Sequence, residues 1–577
     1  MIAKSNPRRT TNRKSIGALA ALSALGLGAC LGAPQPNAAP APEIGAPIEQ
    51  VMAPWRSERA PGVVVAISLN DEIVYADGAG MANLEHNLAL APDSVLQVAS
   101  VSKQFTAFAT LLLVAEGAID LDADIRTYLP DLNATETVIT VRHLLDHAGG
   151  LREQSTLAGM AGWRPDDVHT RAQIQALVRR QRGVNFAAGA EMEYSNTGYG
   201  LLAEIVAHAS GQTFEAFMQA RIFDPLEMQD TRFPTSRNTL IPKRAASYYP
   251  DGDGFNNVIV ASEGTGSTGL YTSALDLLKW AENFETQTIG DPVVFDLMAE
   301  RFSAENGAES TFAKGQEFRV YKGFDTWSHG GTDAGYRSFL LRVPSEDLEI
   351  AVISNRTDFD KATFAFSLAD LYLPLDPEDA ARAPEEPPEE PPEDPPVATA
   401  EMRAALAGDY ELFPGVIFAI RAEPEGLTFA MLGASREDLE PLPQIAEREF
   451  LLNAQPERTL IFAAPERGQS PKLSYRLGLD GTIEAPRVTL APFDAASVDL
   501  SLYVGRCHSE ELDTHYELSQ VDGVLGAKQA RNPWFPMTPY QPDTFAGQGA
   551  LQKLVFQRDE AGLIQGFYAS APLAENV

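Results

Sequence analysis

The sequence predicts an α+β protein: an antiparallel sheet with a helical insert, followed by two small antiparallel β units. Three observations lead there. Strand-like runs open and close the span 48–373, with helix-period segments between them. A Pro/Glu tract at 374–399 has too little apolar content to bury a core and acts as a spacer. Beyond it, short alternating runs recur between glycine turns in two stretches, 400–490 and 491–577, the pattern of barrel-like β units. The 577 residues, 44% hydrophobic and 21% charged, are enough for several packed domains. A net charge of −34 repels phosphate and argues against a nucleic-acid partner.

The amino terminus reads as an address. Lys4, Arg8, Arg9, Arg13 and Lys14 precede the apolar run Ile16–Leu27. That run is shorter than the ~20 residues needed to span a bilayer and fits a signal-peptide core. It ends Leu27-Gly28-Ala29-Cys30, which resembles the cleavage box of bacterial lipoproteins. The resemblance implies removal of the leader, a lipid on Cys30 and a membrane anchor; plain secretion is the alternative. Leu31, where an aspartate would signal retention, points by the same analogy to the periplasmic face of the outer membrane. An Ala/Pro tether then covers 31–47. With Cys30 lipidated, Cys507 has no partner and reads as a filler in a strand.

Val63–Leu69 and Ile73–Ala76, joined by Asn70-Asp71-Glu72, form a hairpin pattern. A helix follows from Ser100, and a short capped helix runs into Gly149-Gly150. His143 and His147 lie in that second helix. Two such histidines tempt a metal reading, but they read here as capping and core residues. None of the eight histidines falls in a His-Glu-x-x-His or Cys/His pattern, so no metal or cofactor is expected. Further helical patterns cover Asn196 to about His208, Phe214–Arg221, Ser273–Phe284 and Phe359–Leu371. Strand patterns cover Arg337–Val343 and Leu348–Ser354.

The chain contains a single Ser-x-x-Lys pair, Ser100 and Lys103. If Ser100 opens its helix, Lys103 lies one turn on, on the same face. A serine hydroxyl is a weak nucleophile at neutral pH, and a desolvated lysine loses enough basicity to activate it. Negative charge developing at the first turn also meets the positive end of the helix dipole. Two further motifs follow in order, Tyr194-x-Asn196 and His329-Gly330-Gly331.

The three in that order resemble the penicillin-recognising serine hydrolases, the superfamily of serine β-lactamases and D,D-peptidases. Tyr-Ser-Asn in the middle is similar to the class C branch, which also holds D-aminopeptidases and family VIII esterases. The resemblance implies a β-lactamase/transpeptidase-like fold over about Pro47–Leu373. It implies a Ser100 acyl-enzyme, with Lys103 or Tyr194 as base, a choice the sequence leaves open. Asn196 would hold the substrate's amide. The backbone N–H groups of Ser100 and Thr332 would form the oxyanion hole, and Gly330 and Gly331 would leave a strand edge bare for substrate. His329 stands where dedicated β-lactamases carry lysine; mostly neutral at pH 7.5, it would serve a peptidase or esterase better than a β-lactam carboxylate. The tail is similar to that of three-domain D-aminopeptidases. What is implied is a serine hydrolase for a small-molecule or short-peptide amide or ester, plausibly a D-amino-acid peptide. An esterase, a weak β-lactamase, or a penicillin- or peptidoglycan-binding module with little turnover are the rivals. The oligomeric state is left open.

Overall fold

The computed structural model describes residues 45–303, 309–375, 398–431, 439–452, 455–463, 472–477, 482–529, 531–574 and 577. The expected leader with Cys30, most of the tether and most of the Pro/Glu tract lie outside these residues. No helix among the described residues is long and apolar enough to cross a membrane.

Eight strands build the main antiparallel sheet: β1 (Val63–Leu69), β2 (Glu72–Ala79), β3 (Arg301–Ser303), β4 (Glu309–Ala313), β5 (Gln316–Tyr321), β6 (Phe324–Asp333), β7 (Tyr336–Val343) and β8 (Leu348–Ser354). Their spatial order is β2-β1-β8-β7-β6-β5-β4-β3. β1 and β8 pair in register from Val63 opposite Ser354 to Leu69 opposite Leu348, so the two ends of the expected domain close one sheet. Both strands are covered on both faces, so each reads as a mostly apolar run rather than an alternating one, interrupted by Ser68 in β1 and by Glu349 in β8.

Among the described residues, ten helices surround it: α1 (Gly45–Met52), α2 (Ser102–Ala115), α3 (Val141–Leu145), α4 (Gln154–Met160), α5 (Arg171–Arg180), α6 (Asn196–Ser210), α7 (Phe214–Met218), α8 (Ala274–Thr286), α9 (Pro292–Ala299) and α10 (Lys361–Ala369). α1 and α10 cover one face, where Ile48, Met52, Phe366 and Leu368 pack on Val63, Val65 and Ile67. The insert covers the other face, with Phe105, Phe108, Tyr199 and Trp280 in a second core. α1 starts inside the stretch expected as tether, because Ile48 and Met52 are buried against the sheet. β6 adds to the strand patterns named above: Trp327–Thr332, which carries the His329-Gly330-Gly331 motif, lies within a central strand. Strands β3–β5 were not legible, since they are three to six residues long and none carries an apolar run.

Beyond residue 398, two five-stranded antiparallel sheets enclose Tyr410, Ile420, Phe450 and Phe462. Two four-stranded antiparallel sheets follow and enclose Leu518, Leu525, Phe545 and Leu554. This last core also takes in Leu157 and Met160 of α4 and Leu177 of α5, so the final β unit shares its interior with the helical insert. Tyr516 and Gln529 each donate to the Met160 carbonyl at 2.7 Å. Cys507 lies half-buried in the strand Gly505–Ser509.

Candidate active site

Ser100 sits in a short 3-10 turn, Ala99–Val101, that leads into α2. Ala99 has φ of 45°, a left-handed conformation that costs a side-chain-bearing residue about 1–2 kcal/mol. Its surroundings hold it there. Ser338 Oγ donates to the Val98 carbonyl at 2.8 Å, and Val98 N donates to Leu270 O at 3.0 Å. Ser102 Oγ donates to the Ala99 carbonyl at 2.5 Å.

Lys103 follows one turn later with its side chain fully buried. Its amine faces three oxygens: Asn196 Oδ1 at 2.7 Å, the Ser267 carbonyl at 2.8 Å and Ser100 Oγ at 3.2 Å. The first two can only accept, whereas a hydroxyl can also donate. A neutral amine therefore keeps two N–H bonds to fixed acceptors and turns its lone pair to the Ser100 O–H. Burial supplies that neutral form by pulling the amine down to about 7, against the upward pull of Glu153 and Asp333.

Tyr194 lies beside the same amine, its ring centroid 4.7 Å from Lys103 Nζ. Burial holds the phenol well above its ordinary value, and a hydrogen bond with Ser100 pulls only partly the other way. Tyr194 is thus a phenol, a proton donor, beside a lysine that is readily neutral.

The side chain of His329 is buried, with ring centroid 6.1 Å from that of Tyr194 and Phe312 packed against both. Its Nδ1 lies 2.6 Å from the Gly330 carbonyl. A carbonyl only accepts, so Nδ1 carries the proton and Nε2 is a bare acceptor, buried and without a partner among the described residues. Burial, then the charge of Lys103, brings this imidazole down to about 3, so it is neutral at physiological pH.

Gly330 and Gly331 are required for a different reason than expected. A Cβ on Gly331 would lie 2.3 Å from the Val98 carbonyl and from Ser338 Oγ; one on Gly330 would lie 2.9 Å from Lys361 Cε. The glycines let β6 press against the Ser100 turn on one face and α10 on the other. The open edge comes from β5, whose pairing with β6 ends at Ser328, leaving His329–Asp333 paired on the β7 side alone. Thr332 lies exposed on that edge.

Two residues that sequence reasoning missed organise the centre. Glu153 is 2% exposed, and its Oε2 accepts from the backbone N–H groups of Asn196 at 2.8 Å and Thr197 at 3.2 Å, capping α6. Its Oε1 accepts from Asn196 Nδ2 at 3.1 Å. A carboxylate can only accept here, so it fixes which end of the Asn196 amide faces Lys103. The Glu153 N–H in turn donates to the Leu573 carbonyl at 2.7 Å, a contact from the C-terminal β unit. Nearby, the Arg152 guanidinium pairs with Glu511 at 2.8 Å, a pair only 5% and 21% exposed.

The second missed residue is His147. Its Nδ1 accepts from Ser195 N–H at 3.0 Å, and its carbonyl accepts from Glu193 N–H at 2.9 Å. Its ring stacks on Tyr194 with centroids 4.5 Å apart. It clasps the chain on either side of Tyr194 and is more than the core residue expected. His143 does cap, with Nδ1 accepting from Thr140 N–H at 3.2 Å. Only its place just past Gly149-Gly150-Leu151 could have drawn notice to Glu153, which sits among the polar residues Arg152, Gln154, Ser155 and Thr156.

The β-lactamase family model matches residues 46–372. The chain is 27% identical to the D-aminopeptidase of Gluconobacter oxydans over 327 residues, 56% of this chain and 61% of that protein. It is 24% identical to the D-aminopeptidase of Brucella anthropi over 536 residues, 90% of this chain and 95% of that protein. Its fold is similar to that of the octameric penicillin-binding protein homologue from Pyrococcus abyssi, with a TM-score of 0.54 and 21% identity over 77% of this chain and 99% of that one.

Proposed function

The chain belongs to the β-lactamase family of serine hydrolases, and from that premise we propose that it is an aminopeptidase or amidase for small D-amino-acid substrates, working through a Ser100 acyl-enzyme. The observation that carries the mechanism is the wiring of Lys103, whose two fixed acceptors leave one direction free, toward Ser100 Oγ. Neutral Lys103 takes the Ser100 proton as Oγ attacks the substrate carbonyl. The backbone N–H groups of Ser100 and Thr332 hold the oxyanion, each such donor contributing about 3 kcal/mol. The C–N bond breaks, the leaving amine takes a proton from Tyr194, and Lys103 restores it. Water then enters along the same path and gives its proton to Lys103 as it attacks the ester carbonyl; the acyl–Oγ bond breaks, Lys103 returns that proton to Ser100 Oγ, and the acid leaves.

Asn196, pinned by Glu153, keeps one Nδ2 hydrogen for the substrate. Neutral His329 disfavours a β-lactam carboxylate and accepts an N–H from the leaving group on Nε2. The substrate class follows the two D-aminopeptidases that the chain resembles. We further place the enzyme, by its leader and Cys30, on the periplasmic face of the outer membrane as a lipoprotein. Incorporation of labelled palmitate that Cys30→Ala abolishes is the expected result there.

The test is a panel of D-alanine p-nitroanilide, its L enantiomer, a short-chain p-nitrophenyl ester and nitrocefin, against wild type and Ser100→Ala. Preference for the D-anilide, lost in Ser100→Ala, is expected. Turnover of nitrocefin alone contradicts the substrate class. A penicillin label that stays on the protein for hours without turnover of any substrate favours a binding module.

A further inference from the structure

An amino-acid amide brings a positive α-ammonium group into the site, and none of the groups assigned above receives it. Side chains of β6 alternate between faces, so His329, Gly331 and Asp333 share the face turned to the Ser100 turn. Gly331 meets the Val98 carbonyl there, and His329 lies beside Tyr194. Asp333 stands about 7 Å farther along the strand, on the other side of Gly331 from His329. Tyr194 and His329 serve the leaving group, so the acyl half of the substrate extends the opposite way along this open edge, toward Asp333.

The carboxylate is built into the site. Thr268 Oγ1 donates to Asp333 Oδ2 at 2.9 Å, and Gln97 also hydrogen-bonds it. Gln97 lies three residues before Ser100. Thr268 follows Ser267, whose carbonyl accepts from Lys103. The group is half-buried, yet makes no ion pair among the described residues; Lys103 and Arg337 act on it only at longer range. Burial outweighs its hydrogen bonds and holds its carboxyl above the usual carboxylate range. A half-buried carboxylate that has no ion-pair partner is stabilised when a cation comes within contact. A cavity of about 380 Å³ has Gln97, Tyr271 and Tyr336 in its lining, together with Glu263 and the arginines Arg171, Arg237 and Arg244.

We propose that Asp333 receives the α-ammonium group of the acyl residue, so that the site selects amides and esters of amino acids with a free α-amine. This rests on the aminopeptidase reading and gives it a specificity determinant. The experiment compares wild type, Asp333→Asn and Asp333→Glu, each as the full chain, on D-alanine p-nitroanilide and on p-nitrophenyl propionate, which lacks the amine. In Asp333→Asn, kcat/KM on the amine-bearing substrate should fall at least about tenfold more than on the propionate ester, mainly through KM, as expected for one lost charge-assisted bond. Asp333→Glu should keep part of the preference. Wild-type KM for the anilide should rise as its amine loses its proton, near pH 8, a dependence that Asp333→Asn loses. Equal losses on both substrates, or a shared pH shift alone, would show that Asp333 acts only on Lys103 and overturn the assignment. Wild type active on the anilide with Asp333→Asn undiminished overturns this assignment alone. Wild type active on the ester but on no amine-bearing substrate overturns the aminopeptidase reading with it.

Discussion

Replacing Glu153 with glutamine changes one atom of the site and several of its consequences. The carboxylate accepts four hydrogen bonds, two from backbone N–H groups, one from Asn196 Nδ2 and a longer one from neighbouring Ser155 Oγ at 3.3 Å. Glutamine offers one acceptor oxygen. If that oxygen keeps the backbone pair, its NH2 meets Asn196 Nδ2, donor against donor, and the Asn196 amide turns over. Nδ2 then faces Lys103 in place of Oδ1, and the 2.7 Å bond is lost. The charge-assisted bond from Asn196 Nδ2 to Glu153 goes with it; such a bond is worth about 1.5–3 kcal/mol, so kcat/KM should fall about 10- to 100-fold.

The pH profile separates this from general damage. Glu153 is the larger of the two charges raising Lys103, so its loss moves the lysine further below about 7. The acid limb, where Lys103 gains its proton, should shift to lower pH, leaving the variant least impaired in acid. The assay is kcat/KM on D-alanine p-nitroanilide across the pH range, with a thermal melt at each pH. A variant within about threefold of wild type and with an unmoved acid limb would refute the role given to Glu153.

Three further perturbations have definite signs. Burial brings Lys103 in the folded chain down to about 7, well below its ordinary 10.5, so between them the unfolded chain holds a proton that the folded chain does not. Stability should therefore rise by about 2 kcal/mol from pH 7 to pH 9 relative to Lys103→Met, measured by denaturant unfolding; parallel curves would contradict it. Gly331→Ala drives a Cβ to 2.3 Å from the Val98 carbonyl; a loss of about 1–3 kcal/mol in stability together with slowed acylation is expected, and an unchanged melt would show that the strand and turn can part. Arg152→Ala leaves Glu511 without its buried partner; a loss of about 3 kcal/mol and faster proteolysis of the C-terminal β unit should follow, and unchanged proteolysis would count against the ion pair as a clamp.

The parts of the site that could be read in advance were those carried by local spacing. Ser100 and Lys103 share a helix turn, and Tyr194 and Asn196 flank the N-cap of α6. The strands closing the domain, β1 and β8, were legible because burial on both faces forces an apolar run. Glu153 was not, since its partners lie more than 40 residues away and a capping carboxylate has no pattern of its own. His147 looked like a core histidine because its work is done through the chain on either side of Tyr194. The glycines after His329 were singled out for the edge they border, whereas the two faces they let approach have no signature in the sequence. Contact between the last β unit and α4 depends on Met160 and Leu157, ordinary apolar residues in sequence.

The most direct measurement is the site of acylation. The full chain would be incubated briefly with a D-alanine ester, quenched in acid, digested and mapped by mass spectrometry. An alanyl adduct on Ser100, absent from Ser100→Ala and persisting longer in Lys103→Met if any forms, is the predicted result. Turnover with no adduct on Ser100, or an adduct on another residue, would contradict the mechanism.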